Sequence, residues 1–194
     1  MSLVEFLDKI MSTDLVPSYL YQEGESFRVT SIINTRDYNT VCQKCRFNEM
    51  VTKGLSQRVT AQKHTKVLKT ILEEDKNAIA SELPLWSEAF YYPQKFSKVV
   101  GHNDLISYYH PYIYIWDFKP SNDPLVGDQV EMYKQLLLGL IIGLKSEDIV
   151  TGWFSEDYEW IVQDKSVKLF EKPIDLTFTK PVRSIKEILQ SERV

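Results

Sequence analysis

Residues 112–118 of this 194-residue chain read Tyr-Ile-Tyr-Ile-Trp-Asp-Phe, a run that narrows the possible folds sharply. Side chains alternate across an extended strand, so Ile113 and Ile115 fall on one face and Tyr112, Tyr114, Trp116 and Phe118 on the other. Both faces are apolar. A strand of that kind is stable where both faces are covered, which predicts a central strand between other layers. Residues 96–109, also rich in β-branched and aromatic types, precede it across His110-Pro111. Proline keeps its predecessor extended, and the two runs are expected to pair antiparallel.

Helical spacing recurs on either side. Leu3, Phe6, Leu7 and Ile10 share one side of a short helix over 2–11. Val67, Leu68, Ile71 and Leu72 mark another over 55–74, with Lys63, Lys66 and Lys69 mostly on other faces. Residues 24–35 suggest a strand or extended entry, and 35–50 are expected to begin a helix carrying both cysteines. A loop over 120–127 leads into a strongly apolar helix over 128–144. Residues 149–154 and 158–162 read as strands, and 184–191 as a closing helix. The order helix, strand, strand, helix, strand, strand predicts an α/β fold with a central mixed β-sheet flanked by helices. No linker, repeat or low-complexity tract divides the chain, so 1–194 is expected to be one domain. The apolar and aromatic segments 83–96 and 170–182 are left to cover the sheet or to form the interface of a homo-oligomer.

At 43% hydrophobic and 26% charged residues, the composition is that of a globular domain that needs no staple. A net charge of -4 argues against coating nucleic acid through bulk electrostatics, though it leaves room for a local groove. Two cysteines cannot build a secreted disulfide framework. The longest apolar run, 136–144, is about half a bilayer span, and the acidic N-terminal stretch is not a signal peptide. The chain is expected to be cytoplasmic, with no membrane partner.

The chemistry concentrates in Gly101-His102-Asn103-Asp104 and in Trp116-Asp117-Phe118-Lys119. Asp117 and Lys119 must project from one face while Phe118 anchors the other, and hairpin register can bring Asp104 beside them. Such a cluster offers hard oxygen ligands for Mg²⁺ or Mn²⁺ and an ammonium able to orient a water. An isolated Asp-x-Lys usually marks a solvated face. Here it ends a strand that is otherwise apolar, where open α/β sheets place ligand sites. Gln129 and Tyr133 lie four apart on one helix face. His64 follows its helix's apolar stripe, where a histidine is ordinarily a hydrogen-bonded core residue. His102 shares a strand face with Asp104 and stands in reserve as an imidazole ligand. Cys42 and Cys45 read as two reduced thiols, or as half of a zinc site. Arg58, Lys63, Lys66 and Lys69 can reach phosphates, and Tyr108, Tyr109 and His110 can stack on unpaired bases.

Taken together, Ala61-Gln62-Lys63-His64, Gly101-x-x-Asp104, Asp117-x-Lys119 and Gln129-x-x-x-Tyr133 resemble the PD-(D/E)xK nuclease superfamily, in its RecB-like branch. That branch includes CRISPR-associated exonucleases. Two departures stand out: alanine occupies position 61 where the family usually has glycine, and two cysteines cannot supply the four-cysteine iron-sulfur site of many such relatives. The resemblance implies a restriction-endonuclease-like core over about 54–164 and metal-dependent hydrolysis of DNA phosphodiesters to 5′-phosphates. It implies that Asp104 and Asp117, His64 and the backbone carbonyl of Phe118 hold Mg²⁺ or Mn²⁺. Lys119 would orient the attacking water, and Gln129 and Tyr133 would contact the DNA backbone or brace Lys119. Two competing readings are a non-cleaving DNA- or protein-binding module on the same fold, and a zinc hydrolase built on His64, His102, His110 and Asp104.

Overall fold

The computed structural model describes residues 1–11, 16–17, 20, 27–31, 38–57, 63–87, 98–120 and 126–163. In chain order the elements are α1 (Leu3–Met11), β1 (Phe27–Arg28), β2 (Thr40–Lys44), α2 (Asn48–Ser56), α3 (Lys63–Glu74), β3 (Ala78–Ser87) and β4 (Val99–Tyr109). After these come β5 (Tyr112–Phe118), α4 (Gly127–Leu140), β6 (Ile149–Phe154) and β7 (Tyr158–Val162). All seven strands belong to one mixed sheet of order β1-β4-β5-β6-β7-β2, with β3 paired to β4. The fold is therefore α/β, a central mixed sheet flanked by helices.

The two apolar faces of β5 explain the layers. Ile113 and Ile115 join a core with Phe6 of α1 and Met132, Tyr133, Leu136 and Leu137 of α4. Tyr114, Trp116 and Phe118 join a second core with Val51 of α2 and Val67, Leu68 and Ile71 of α3. Helix α1 starts with a reciprocal cap, in which Glu5 N–H donates to Ser2 Oγ at 3.3 Å and Ser2 N–H donates to Glu5 Oε2 at 2.8 Å. The β5-α4-β6 crossover makes β5 and β6 parallel, from Ile113 opposite Ile149 to Phe118 opposite Phe154.

Strand β4 positions the site because its neighbours change along its length. Strand β3 lies antiparallel along one edge, from Ser87 opposite Val99 to Ala78 opposite Ser107. On the other edge β5 pairs only from Leu105–Trp116 to Tyr109–Tyr112, and β1 pairs at Val99 and Val100. Residues 101–104 fall between, where the sheet opens. Side chains take over the bonding there: Asn103 Nδ2 donates to the Trp116 carbonyl at 3.1 Å, and Phe118 N–H donates to Asp104 Oδ2 at 2.7 Å.

Several elements differ from the sequence expectation. Residues 40–44 form a strand rather than the start of a helix, because they complete the free edge of β7 with Cys42 opposite Trp160. Cys45 lies just past that strand, and the helix begins only at Asn48. Residues 55–56 end α2, and α3 begins at Lys63; 58–62, with Arg58 and Ala61, lie outside the described residues. Strand β3 had no counterpart in the periodicity. Helix α4 stops at Leu140 rather than 144, since Ile141 is extended and Gly143 turns the chain at φ +86°. Of 24–35, residues 27–31 form β1 and a single 3₁₀ turn. The proposed closing helix over 184–191, the segment 170–182 and residues 88–97 lie outside the described residues.

Candidate active site

A cavity of about 240 Å³ opens where β4 loses its neighbour. His64, Asp104, Asp117, Lys119, Gln129 and Tyr133, all singled out from the sequence, line it, together with Glu82, Gly101, His102, Arg28 and Thr30. Gly101 is glycine for a steric reason. A Cβ there would lie 2.7 Å from Tyr133 Cε1 and 2.9 Å from Val29 Cβ, closer than real Cβ contacts come.

Two polar groups meet around Asp104. On one side, His64 at the start of α3 sets Nε2 3.0 Å from Asp104 Oδ2 and Nδ1 3.3 Å from Glu82 Oε1. Hydrogen bonding to Asp104, then to Glu82, raises the imidazole to about 10, while His64 in turn lowers the Glu82 carboxyl. Ligating atoms of His64, Glu82 and Asp104 lie within 4.8 Å of one another, a spacing that one cation can span. On the other side, Lys119 Nζ lies 2.6 Å from Asp117 Oδ2 as an ion pair, although that oxygen is buried without a hydrogen-bond partner in good geometry among the described residues. Burial first, and the nearby Asp104 charge second, push Asp117 up to about 7 against the opposing effect of Lys119. The Lys119 ammonium offsets only part of the repulsion between Asp117 and Asp104, and a cation beside both carboxylates would offset the rest.

The donor set fits a hard divalent ion. Two adjacent ligands at about 2.1 Å from one octahedral ion stand about 3.0 Å apart, which matches the His64–Asp104 spacing. Asp117 is not part of the compact His64-Glu82-Asp104 group, and it faces the cavity beside Asp104.

Gln129 and Tyr133 are buried; Gln129 reaches Asp117 rather than Lys119, and Tyr133 reaches Gln129. Gln129 Nε2 donates to Asp117 Oδ1 at 3.2 Å and to the Tyr133 hydroxyl at 3.3 Å. Burial raises the Tyr133 phenol well above its ordinary value, so it stays neutral. Phe118 fixes this end of β5, with its ring 5.6 Å from the His64 ring. Lys119 N–H donates to the Phe154 carbonyl at 2.8 Å, continuing the register beside β6.

Other expected residues lie elsewhere. His102 lines the cavity but is not in the metal-spaced group, and burial lowers its imidazole. His110 sits at the β4-β5 turn with Nδ1 2.9 Å from the Tyr108 hydroxyl, so the zinc set of three histidines does not assemble. Cys42 is exposed, Cys45 is buried, both are free, and neither joins a metal-spaced group among the described residues. Tyr109 donates to Asp75 at 2.6 Å, and Lys69 pairs with Glu73. Among the described residues no helix is long and apolar enough to cross a membrane.

Glu82 is the residue that sequence reasoning missed. It stands in β3 at φ +52°, between Ser81 opposite Leu105 and Leu83 opposite Asn103. Its only sequence signal is a lone acid at the head of the apolar run 83–86. Comparisons with models of known families, with curated proteins and with solved structures return no match.

Proposed function

We propose that this chain is a metal-dependent deoxyribonuclease that hydrolyses phosphodiester bonds to leave 5′-phosphates, serving recombination, repair or replication-end processing. The observation that carries the reading is the meeting, in one cavity, of His64 Nε2 and Asp104 Oδ2, 3.0 Å apart, with the buried Asp117–Lys119 pair. DNA as the substrate, and the restriction-endonuclease-like ancestry, rest on the order and spacing of the four sequence motifs.

Asp104, Asp117 and His64, with the Phe118 carbonyl, would hold Mg²⁺ or Mn²⁺; such an ion supplies Lewis acidity, polarising a phosphoryl oxygen and acidifying a water. The chain's own groups divide the rest. Lys119 presents its ammonium beside Asp117, where it can orient a water and offset negative charge that grows on the phosphate. Gln129 holds Asp117 Oδ1, which keeps the carboxylate directed at the cavity, and Tyr133 holds Gln129. Burial of these groups strengthens each charge interaction relative to water. An imidazole among the ligands should make Mn²⁺ at least as effective as Mg²⁺.

The test is incubation of circular and linear DNA with Mg²⁺ or Mn²⁺. Cleavage is expected, and opened circles identify an endonuclease whereas attack confined to ends identifies an exonuclease. Lys119→Ala should reduce the rate by roughly 10²–10³-fold while the protein stays folded. Unchanged cleavage by that variant overturns the assignment. Binding of DNA without cleavage by the wild-type chain would instead support the non-cleaving module.

A further inference from the structure

We infer that Glu82 is a positioning residue that fixes which nitrogen of His64 meets the cation, an inference that rests on the metal site of the proposed nuclease. An imidazole has two nitrogens, and only one can face an ion shared with Asp104. Nε2 already stands at adjacent-ligand spacing from Asp104 Oδ2, at 3.0 Å, whereas Nδ1 faces Glu82 Oε1 at 3.3 Å. A carboxylate on Nδ1 keeps a proton there when a cation takes the place of the proton between Nε2 and Asp104, and it makes Nε2 a stronger donor.

The backbone carries an independent sign of this role. Glu82 is the one non-glycine residue with positive φ among those described, at +52° within a paired strand. That conformation strains a residue with a Cβ. Strand pairing alone does not require it, since Ser81 and Leu83 keep regular register on either side. What the turn of the backbone achieves is the direction of the carboxylate, out of the sheet and onto His64. The Phe118 ring flanks the imidazole as well, so packing and the carboxylate together fix its orientation.

The experiment uses the full chain, with Mn²⁺ binding measured by calorimetry and ¹⁵N resonances of the His64 ring recorded with Zn²⁺ as a diamagnetic probe, assigned by His64→Ala. In the wild-type protein Nδ1 should carry the proton and Nε2 the metal. Glu82→Gly suits the positive φ, so it should fold, yet it should bind Mn²⁺ 10–100-fold more weakly and lose the single tautomer. Glu82→Gln keeps an acceptor oxygen and should recover most of the loss. Wild-type affinity in Glu82→Gly, metal on Nδ1, or equal losses in the Gln and Gly variants overturn the inference, the last because Glu82 would then itself be a ligand. A chain that binds Mn²⁺ in this Glu82-dependent way yet cuts no DNA sinks the nuclease reading and leaves this one standing. Cleavage with Mn²⁺ affinity indifferent to Glu82 does the reverse, and a wild-type chain that binds no Mn²⁺ overturns both.

Discussion

His64 lies between two carboxylates that raise it to about 10, and Asp117 is raised to about 7 by burial and by Asp104. In an unfolded chain these groups titrate at about 6.5 and 3.9. The signs follow from linkage. The raised His64 contributes stability that is fully present below about pH 6.5 and is lost as pH rises toward 10. The raised Asp117 carries no penalty below about pH 4 and a full one above about 7. Without divalent ions the folded state thus binds extra protons across both windows. The melting temperature in EDTA should fall as pH rises, by about 2–4 °C for each kcal/mol lost, and Asp117→Asn should remove the part between pH 4 and 7. Identical slopes in the two proteins would contradict this. A cation must displace the same protons, so Mn²⁺ affinity should rise through about pH 7. Lys119→Ala, which deletes the charge that holds Asp117 down, should move that rise to higher pH. Of these residues, Asp117 and Lys119 were legible because charge at the end of an apolar strand is conspicuous, and Asp104, midway along β4, through its spacing from Gly101. Glu82 was not, because its role depends on a backbone conformation and on a partner 18 positions away.

Strand β2 is fastened to the sheet by a buried ion pair rather than by apolar packing alone. Glu159 of β7, fully buried, accepts from Gln43 Nε2 at 2.5 Å, from Arg46 N–H at 3.0 Å and from Arg46 Nη2 at 2.8 Å. The Arg46 guanidinium also lies about 5 Å from the ring centroids of Tyr109, Tyr114 and Trp116. Removing one partner leaves an uncompensated buried charge, whereas removing both does not. Arg46→Met should cost about 3–5 kcal/mol in urea unfolding, and adding Glu159→Leu should recover a large part of it. Additive losses would show that packing, not charge, dominates there. The same region explains what periodicity could reveal about elements. Strands β5, β6 and β7 and helices α1 and α3 announce themselves because each buries a face that its own residues define. Residues 40–44 and 78–87 carry weaker patterns, Thr-Val-Cys-Gln-Lys in one and a proline in the other. Both lie on sheet edges, where pairing with distant strands decides the conformation. Cys45 follows from that placement. It is buried and its thiol is pushed up to about 12 chiefly by burial, while Cys42 is exposed. One thiol should react with a disulfide reagent at pH 8 in the native protein and two in denaturant.

Across the whole molecule, net charge and site chemistry oppose the proposed substrate until a cation is present. The chain carries 27 acidic and 23 basic residues, and three carboxylates line the cavity beside Lys119, Arg28 and a His64 imidazole raised to about 10. A phosphodiester entering there finds His64 already engaged by Glu82 and Asp104 and Lys119 by Asp117, so neither offers it an uncommitted positive charge. No basic excess over the whole chain compensates, so the usual electrostatic source of nucleic-acid affinity is weak. A divalent ion adds the positive charge that is lacking, at the point where β1 and β5 part and open the sheet. DNA affinity should therefore depend on the cation even when nothing is cut. With Ca²⁺, a larger ion with looser geometry than Mg²⁺, binding to a short duplex or single strand should tighten at least tenfold over EDTA, about 1.4 kcal/mol. Asp117→Asn removes the carboxylate that engages Lys119, and in EDTA it should bind DNA more tightly than the wild-type chain while cleaving poorly with Mg²⁺. Fluorescence anisotropy at fixed ionic strength measures both. Equal affinity in Ca²⁺ and EDTA, with no gain from Asp117→Asn, would mean that DNA is held by some other surface, and the cavity would lose its claim to be where the phosphate enters.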